Sequence, residues 1–182
     1  MRQERLAGWT LVACLAMAAG VIAQETAPEP QDLEALARHL VKAKFQGYAS
    51  GDESRIQHLA DGGSEVRSEE DGYVYRDRWY GEDRFTGEEV VWHKGRALWS
   101  MNFYGATTPG RSIPAEFAKF HKSALRRATI DAPFRGPAMY REGEFVYVNT
   151  HTGSIAEFSG VERVFFRDLE IFHLAYHGGT LH

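Results

Sequence analysis

The chain has 182 residues, of which 43% are hydrophobic and 13% aromatic, a composition that suits one compact domain of ordinary size. Its 21 Lys and Arg residues against 25 Asp and Glu residues give a formal net charge of −4. This balance excludes the concentrated basic face that nucleic-acid phosphates require, so we expect no nucleic-acid partner.

The first 23 residues are typical of an export signal. Arg2 and Arg5 supply positive charge, and the apolar run at residues 6–23 ends in a small residue, Ala23. Cleavage after Ala23 predicts a signal peptide at residues 1–23, followed by a Pro- and Glu-rich linker at residues 24–31. We therefore expect a periplasmic or secreted protein.

Two alternatives to cleavage stay open. Residues 11–14 resemble the lipobox of bacterial lipoproteins, which would make Cys14 a lipidation site. An uncleaved apolar run would instead be long enough to anchor the chain in a bilayer. A membrane is an expected partner only in these two cases. Cys14 is the single cysteine, so cleavage at Ala23 excludes disulfides within the chain, thiol nucleophiles and thiolate metal sites.

Hydrophobic periodicity predicts the elements that follow the linker. A first helix carries Leu33, Leu36, Ala37 and Leu40 at helical spacing, with Asp32 as its cap, and residues 46–72 form a long loop with one short strand at its end. A second helix, capped by Ser112, carries Phe117, Phe120 and Ala124 on one face. Strands are predicted at residues 73–75, 89–93, 98–104, 138–140, 145–148, 161–166 and 171–176.

The two halves of the chain are similar to each other. Residues 85–105 align without a gap onto residues 158–178, with Phe85, Gly87 and Glu89 recurring as Phe158, Gly160 and Glu162. The alternative is two unrelated groups of strands that share a generic strand composition.

The similarity of the halves predicts a fold. We expect one α+β domain at residues 32–182, made of two tandem α-β-β-β-β repeats at about residues 32–105 and 112–182. The repeats would form a curved antiparallel sheet of about six to eight strands, with both helices on one face.

Three blocks of sequence also resemble a catalogued family. They are residues 85–92, residues 98–105 and the ending Tyr-His-Gly-Gly at residues 176–179. Over about residues 36–181 the chain resembles the domain-of-unknown-function family 5680. Members of that family are often attached to helix-turn-helix regulators, which implies a sensing or binding role. This chain instead combines the resemblance with an export signal, and the family supplies no catalytic residues to carry over.

Alternation along the last strand of each half places one set of side chains on an open face of the sheet. We expect a ligand-binding surface there, because the set mixes aromatic, amide and imidazole groups. An ordinary solvated sheet face is the alternative. The candidate ligand-binding residues are Ser100, Asn102, Tyr104, His173 and His177.

Two glutamates and the two strand histidines are the residues that could carry acid–base or metal chemistry. Glu89 and Glu162 occupy equivalent positions, either as a carboxylate pair for acid–base work or as acceptors for backbone N–H groups at a glycine bulge. His173 and His177 would lie about 13 Å apart along a strand, too far to share one ion. We therefore expect no metal site and no cofactor.

These observations favour a non-catalytic module of the bacterial envelope that binds an unknown small molecule or an envelope protein. The alternative is a small hydrolase or isomerase that uses a His or Glu as its proton carrier.

Overall fold

The computed structural model describes residues 30–181, and the side chains of residues 33–181. The predicted signal peptide with Cys14 and most of the predicted linker lie outside the described residues. Between residues 30 and 181, neither α-helix combines the length and the apolar character that a membrane span requires.

The described chain forms one nine-stranded antiparallel sheet and two α-helices, α1 (Pro30–Gln46) and α2 (Phe117–Leu125), which confirms the α+β class. The strands are β1 (Gln57–His58), β2 (Ser64–Glu70), β3 (Tyr73–Gly81), β4 (Arg84–His93), β5 (Arg96–Thr107), β6 (Met139–Glu142), β7 (Phe145–Ser154), β8 (Glu157–Phe166) and β9 (Leu169–Thr180). Their order across the sheet is β1-β2-β3-β4-β5-β9-β8-β7-β6.

Both helices carry their predicted apolar stripes into the interior. Leu36 and Leu40 of α1 are 2% and 0% exposed, and Phe120 and Ala124 of α2 are 3% and 0% exposed. The spacing of three to four residues places each pair on one side of its helix. The four side chains belong to a single hydrophobic cluster together with residues from the strands.

The predicted helix starts were wrong. α1 begins at Pro30, so Asp32 lies inside the helix; proline suits a first turn because its fixed φ is already helical. α2 begins at Phe117 instead of following Ser112. A residue before a proline is disfavoured in the helical region, so Pro114 delays the start of α2. The Phe117 N–H donates to the Pro114 carbonyl (3.0 Å), which closes a turn before the helix.

The interval at residues 46–72 has more regular structure than the predicted loop. Two short 3₁₀ turns, Tyr48–Ser50 and Glu53–Arg55, follow α1, and then come β1 and the seven-residue β2. β2 is mostly polar, so its hydrophobic pattern is a weak signal for a strand. Its pairing with β3 is what makes it a strand. These strands raise the total in the described residues to nine, above the six to eight expected.

The core lies against alternate side chains of the central strands. Trp99, Met101 and Phe103 of β5 are 0%, 0% and 7% exposed, and Leu174 and Tyr176 of β9 are 0% and 2% exposed. The side chains between them point to the other face of the sheet, as the two-residue period of a strand requires. The predicted sorting of these five residues onto the core face is confirmed.

β5 and β9 lie side by side at the centre of the sheet, where Asn102 is opposite His177. Each of these strands also pairs with a neighbour whose register shifts once. The shift lies between Val91 and Trp92 in β4, and between Val164 and Phe165 in β8. The central pair therefore joins two groups of strands that carry a bulge at corresponding positions.

Candidate functional site

Two glutamates are enclosed in the core. Glu89 on β4 and Glu162 on β8 have 2% and 0% of their surface exposed. An enclosed carboxylate is costly unless other groups pair with it and bond to it. The partners of these two residues therefore determine what this part of the protein can do.

Glu162 is bonded on both oxygens. Arg135 donates from Nε to Oε2 (3.0 Å) and from Nη2 to Oε1 (2.9 Å). His121 Nε2 lies 2.9 Å from Oε1, and the Tyr147 hydroxyl donates to Oε2 at 2.7 Å. Burial by itself would raise the pKa of Glu162, but Arg135 and His121 outweigh it and hold the pKa well below its usual range. Glu162 is therefore a fixed negative charge.

The segment that carries Arg135 is held to the sheet by two more hydrogen bonds. The Gly136 N–H donates to the Tyr147 hydroxyl (2.9 Å), and Asn149 Nδ2 donates to the Gly136 carbonyl (3.0 Å). A Cβ at Gly136 would lie 2.8 Å from Tyr147 Cζ and 2.9 Å from the Ala124 carbonyl oxygen. Only glycine lets the backbone approach this closely, which brings Arg135 within reach of Glu162.

Glu89 is paired with a single cation. Lys44 at the end of α1 donates to Glu89 Oε2, and the Lys44 side chain is only 10% exposed. Burial lowers the pKa of Lys44, and the attraction of Glu89 opposes that shift. The pair connects α1 to β4 through the interior.

Asp77 on β3 is a further buried carboxylate, and one of its oxygens is unused. It is 9% exposed and lies directly opposite Glu89 in the sheet. Its Oδ1 is buried without a hydrogen-bond partner. Burial, and next the negative charge of Glu89, raise the pKa of Asp77 to about 7. Asp77 therefore changes its protonation near neutral pH.

The structure assigns different partners to the glutamates than the sequence interpretation did. One of the two interpretations had each glutamate accept backbone N–H groups at a bulge made by Gly87 or Gly160. The bulges instead lie further along the strands, and side chains of other elements are the partners. The charged partners come from α1 and from the segment after α2, which strand patterns cannot reveal.

A cavity of about 250 Å³ lies beside these charged residues. Half of its lining residues are Phe, Trp or Tyr, and its polar lining includes Asp77, His121 and Arg135. Glu82 and Gly81 are exposed and mark its opening at the turn between β3 and β4. The remaining lining residues are Tyr48, Trp79, Phe85, Phe103, Thr107, Phe117 and Phe172.

The candidate ligand-binding residues lie on the opposite face, in two groups. Ser100, Asn102 and His177 line a wide groove of about 830 Å³. Tyr104, which is 49% exposed, and His173 lie outside its lining. His173 Nδ1 is 3.4 Å from Glu170 Oε1. The structure therefore brings three of the five predicted residues together.

Sequence reasoning missed Asp77, Lys44, His121 and Arg135. Asp77 offered a signal, because Tyr75, Asp77 and Trp79 share one face of a strand and a lone acid on a buried face is unusual. Arg135 lies between α2 and β6, outside any helix or strand, so no local pattern marks it. Within residues 30–181, no group of three His, Cys, Asp or Glu side chains is arranged to hold a metal ion.

The fold and its interior define an antiparallel α+β domain with a charged cluster beside a small aromatic cavity. Residues 77–181 match the model of the family described as Domain of unknown function (DUF5680). The match covers more than half of the chain, so the protein belongs to this family, as the sequence resemblance indicated. The matched region includes Asp77, Arg135 and Glu162, whereas Lys44 precedes it. No curated protein and no solved structure matches the chain.

The role of Glu162 predicts a large loss of stability when its charge is removed. Glu162→Gln leaves the Arg135 guanidinium buried without its counter-ion, which we expect to cost about 3–5 kcal/mol in the free energy of unfolding. The control is Glu144→Gln, because Arg167 binds Glu144 through the same two nitrogens (2.7 and 2.8 Å) at the surface. That exposed pair contributes about 0–1 kcal/mol. Equal losses in urea unfolding of the two variants would contradict the assignment.

The raised pKa of Asp77 predicts a pH-dependent effect of Asp77→Asn. Between pH ~4 and ~7 the folded protein holds a proton that the unfolded chain has released, so this group lowers stability as pH rises. Asparagine resembles the protonated acid and removes that cost. We expect the advantage of the variant over wild type, in free energy of unfolding, to grow by about 1–3 kcal/mol from pH 5 to pH 8. The exposed control Asp83→Asn should show no such growth, and a flat difference for Asp77→Asn would refute the prediction.

Proposed function

We propose that this protein is an exported small-molecule-binding module of the bacterial envelope, and that its ligand enters the cavity beside Asp77. The observation that carries the proposal is Asp77, a buried carboxylate with an unpartnered oxygen, among the residues that line a cavity rich in aromatic side chains. Ligand sites typically combine apolar walls with a few placed polar groups, and this cavity has that composition. At about 250 Å³ it is slightly smaller than typical drug-sized sites, so the ligand is small.

The surroundings of the cavity support binding because they are rigid. Arg135 and His121 line it, and both are fixed by hydrogen bonds to Glu162. Phe85, Phe103 and Phe172 are held by ring contacts among themselves, with centroids 6.0 to 6.1 Å apart. A preformed site loses little conformational entropy when a ligand binds.

Export is part of the proposal on the strength of the amino-terminal sequence. Two arginines, the apolar run at residues 6–23 and the Pro-rich stretch after it form the pattern of a secretory signal. Lipidation at Cys14 would hold the same binding module at a membrane surface.

We also propose that the domain is a duplicated α-β-β-β-β unit with both helices on one face of the sheet. The two bulges support this, since they fall at aligned positions of β4 and β8. Equivalent pairs support it too, because Asp77 faces Glu89 in one half and Asn149 faces Glu162 in the other. The shared cluster of Leu40, Ala124 and the core-facing strand residues favours helices on the same side.

We also predict that the groove on the opposite face contacts an envelope protein. Asn102 and His177 lie side by side there, and Tyr104 offers an exposed aromatic ring nearby. Amphipathic aromatic rings are enriched at protein contact surfaces.

Proton transfer by a small hydrolase or isomerase is a second candidate function, and Asp77 is the observation that favours it. A pKa of about 7 is close to the ideal value for a general acid or base at neutral pH. Glu162 does not suit this role because Arg135 and His121 keep it ionised. An enzyme would release an altered molecule, whereas a binding module returns the molecule it took up.

Two matched substitutions test the location of the site. Thr107→Trp places a large side chain in the aromatic cavity, and Thr152→Trp places the same side chain in the groove on the other face. The probes are benzyl alcohol, benzylamine and benzoate, three one-ring molecules of different charge. We expect at least one of them to bind wild type by calorimetry, and Thr107→Trp to weaken that binding at least tenfold.

The Thr152→Trp control should stay within about twofold of wild type, since it alters only the opposite face. Thermal unfolding of both variants confirms that they are folded. Binding that only Thr152→Trp weakens, or the absence of binding by all three probes, would contradict the proposed site.

A further inference from the structure

We propose that the ligand of the cavity is a small organic cation, a protonated amine on a one-ring apolar body, whose N–H group pairs with the Asp77 carboxylate. This inference rests on the proposed function, because it assigns the ligand class of the same cavity. Three properties of the cavity support it. The cavity has an unused acceptor and an excess of negative charge, and the space between its aromatic walls is open where the equivalent space in the other half of the domain is filled by a ring.

A comparison with the equivalent position in the second half shows which hydrogen-bond donor Asp77 lacks. There Asn149 faces Glu162, and the Tyr176 hydroxyl donates to Asn149 Oδ1 at 2.9 Å. Tyr176 lies opposite Gly160, just as Phe103 lies opposite Gly87 in the first half. Phe103 has no hydroxyl, so the donor that serves Asn149 has no counterpart beside Asp77. A ligand N–H group would take that place.

The charges around Asp77 leave room for one more cation. The buried carboxylates are Asp77, Glu65, Glu89 and Glu162. Arg78 is paired with Glu65. Lys44 is paired with Glu89, and Arg135 with Glu162. When Asp77 is ionised, its charge is the one without a paired cation, and Glu82 adds a further negative charge at the opening. A buried unpaired charge is costly, so a cationic ligand gains affinity by removing that cost.

The walls suit the apolar part and the charge of such a ligand. In the second half, Phe134 stacks on Phe158 with ring centroids 4.0 Å apart and lies 6.5 Å from Tyr176. The corresponding rings of the first half, Phe85 and Phe103, line the open cavity instead. Aromatic faces attract cations, and a ligand ring would occupy the place that Phe134 fills in the other half.

Binding of a cation should displace the proton of Asp77. The charged and titratable groups that act on Asp77 are Glu89, Lys44 and Arg135, and its own charge acts in turn on Tyr48 and Tyr75. Burial keeps the pKa of Asp77 at about 7 in the empty protein, and a bound cation favours the ionised form. At pH 6 the protein therefore releases a proton when the ligand binds.

The test compares the three one-ring probes by isothermal titration calorimetry of the full-length protein. At pH 8, benzylamine should bind at least tenfold more tightly than benzyl alcohol, and benzoate should bind most weakly. Asp77→Asn should reduce the preference for benzylamine to about threefold or less. Glu82→Gln is the matched control, because it also removes a carboxylate from the cavity lining but should keep most of the preference.

Proton release gives a second readout that needs no variant. Titrations of benzylamine at pH 6 in two buffers of different ionisation enthalpy should show release on binding, whereas benzyl alcohol should release none. A preference for benzoate, equal affinities for the three probes, or binding without proton release would overturn the proposal of a cationic ligand. The cavity would still be upheld as the binding site if Thr107→Trp blocked the binding. If Thr107→Trp blocks no probe, the proposed function itself fails.

Discussion

The contact between Arg135 and Glu162 determines how the irregular segment after α2 can lie on the sheet. A guanidinium and a carboxylate that are both enclosed tolerate few arrangements, because each must keep its hydrogen bonds to the other. His121 brings α2 to the same carboxylate, and Tyr147 brings β7. One charged group of β8 therefore fixes a helix, a loop and a neighbouring strand. Removing either partner alone would leave a buried charge without its counter-ion.

Comparable positions of the sheet carry different residues in its two halves. In the second half, the Tyr176 hydroxyl donates to Asn149, and the Phe134 ring fills the space beside Phe158. In the first half, Asp77 and Phe103 stand at the corresponding places, and a cavity remains. The Tyr176–Asn149 hydrogen bond and the Phe134 ring close the second half, whereas the first half lacks that hydroxyl and keeps a cavity. This difference between the halves is the physical basis for placing the site beside Asp77.

The sequence predicted the parts of the fold that depend on local pattern. Alternation along β5 and β9 identified Trp99, Met101, Leu174 and Tyr176 as core residues, and the structure confirms them. The predicted start of α2 was wrong because the conformational limit imposed by Pro114 outweighed a good capping residue at Ser112. β2 was underestimated, since a polar strand gains its order from its neighbour and not from its own residues.

The candidate site depended on contacts that no local pattern carries. Glu89 and Glu162 were recognised as equivalent, but their partners Lys44 and Arg135 come from segments far along the chain. The pairing explains why the glutamates need no backbone donors. Asp77 was the remaining clue, because it is an acid among aromatic residues on one face of β3. Its role could be interpreted only once the structure showed the cavity beside it.

The most direct measurement is a carbon-13 NMR titration of the side-chain carboxyl groups in the folded protein. The account predicts that Asp77 titrates with a midpoint near 7, because it is buried beside Glu89 without a cation of its own. Glu162 should show no titration down to pH ~4, since Arg135 and His121 stabilise its charge. A midpoint for Asp77 near the ordinary value of ~3.9 would contradict the account, because the carboxylate would then already be solvated or paired.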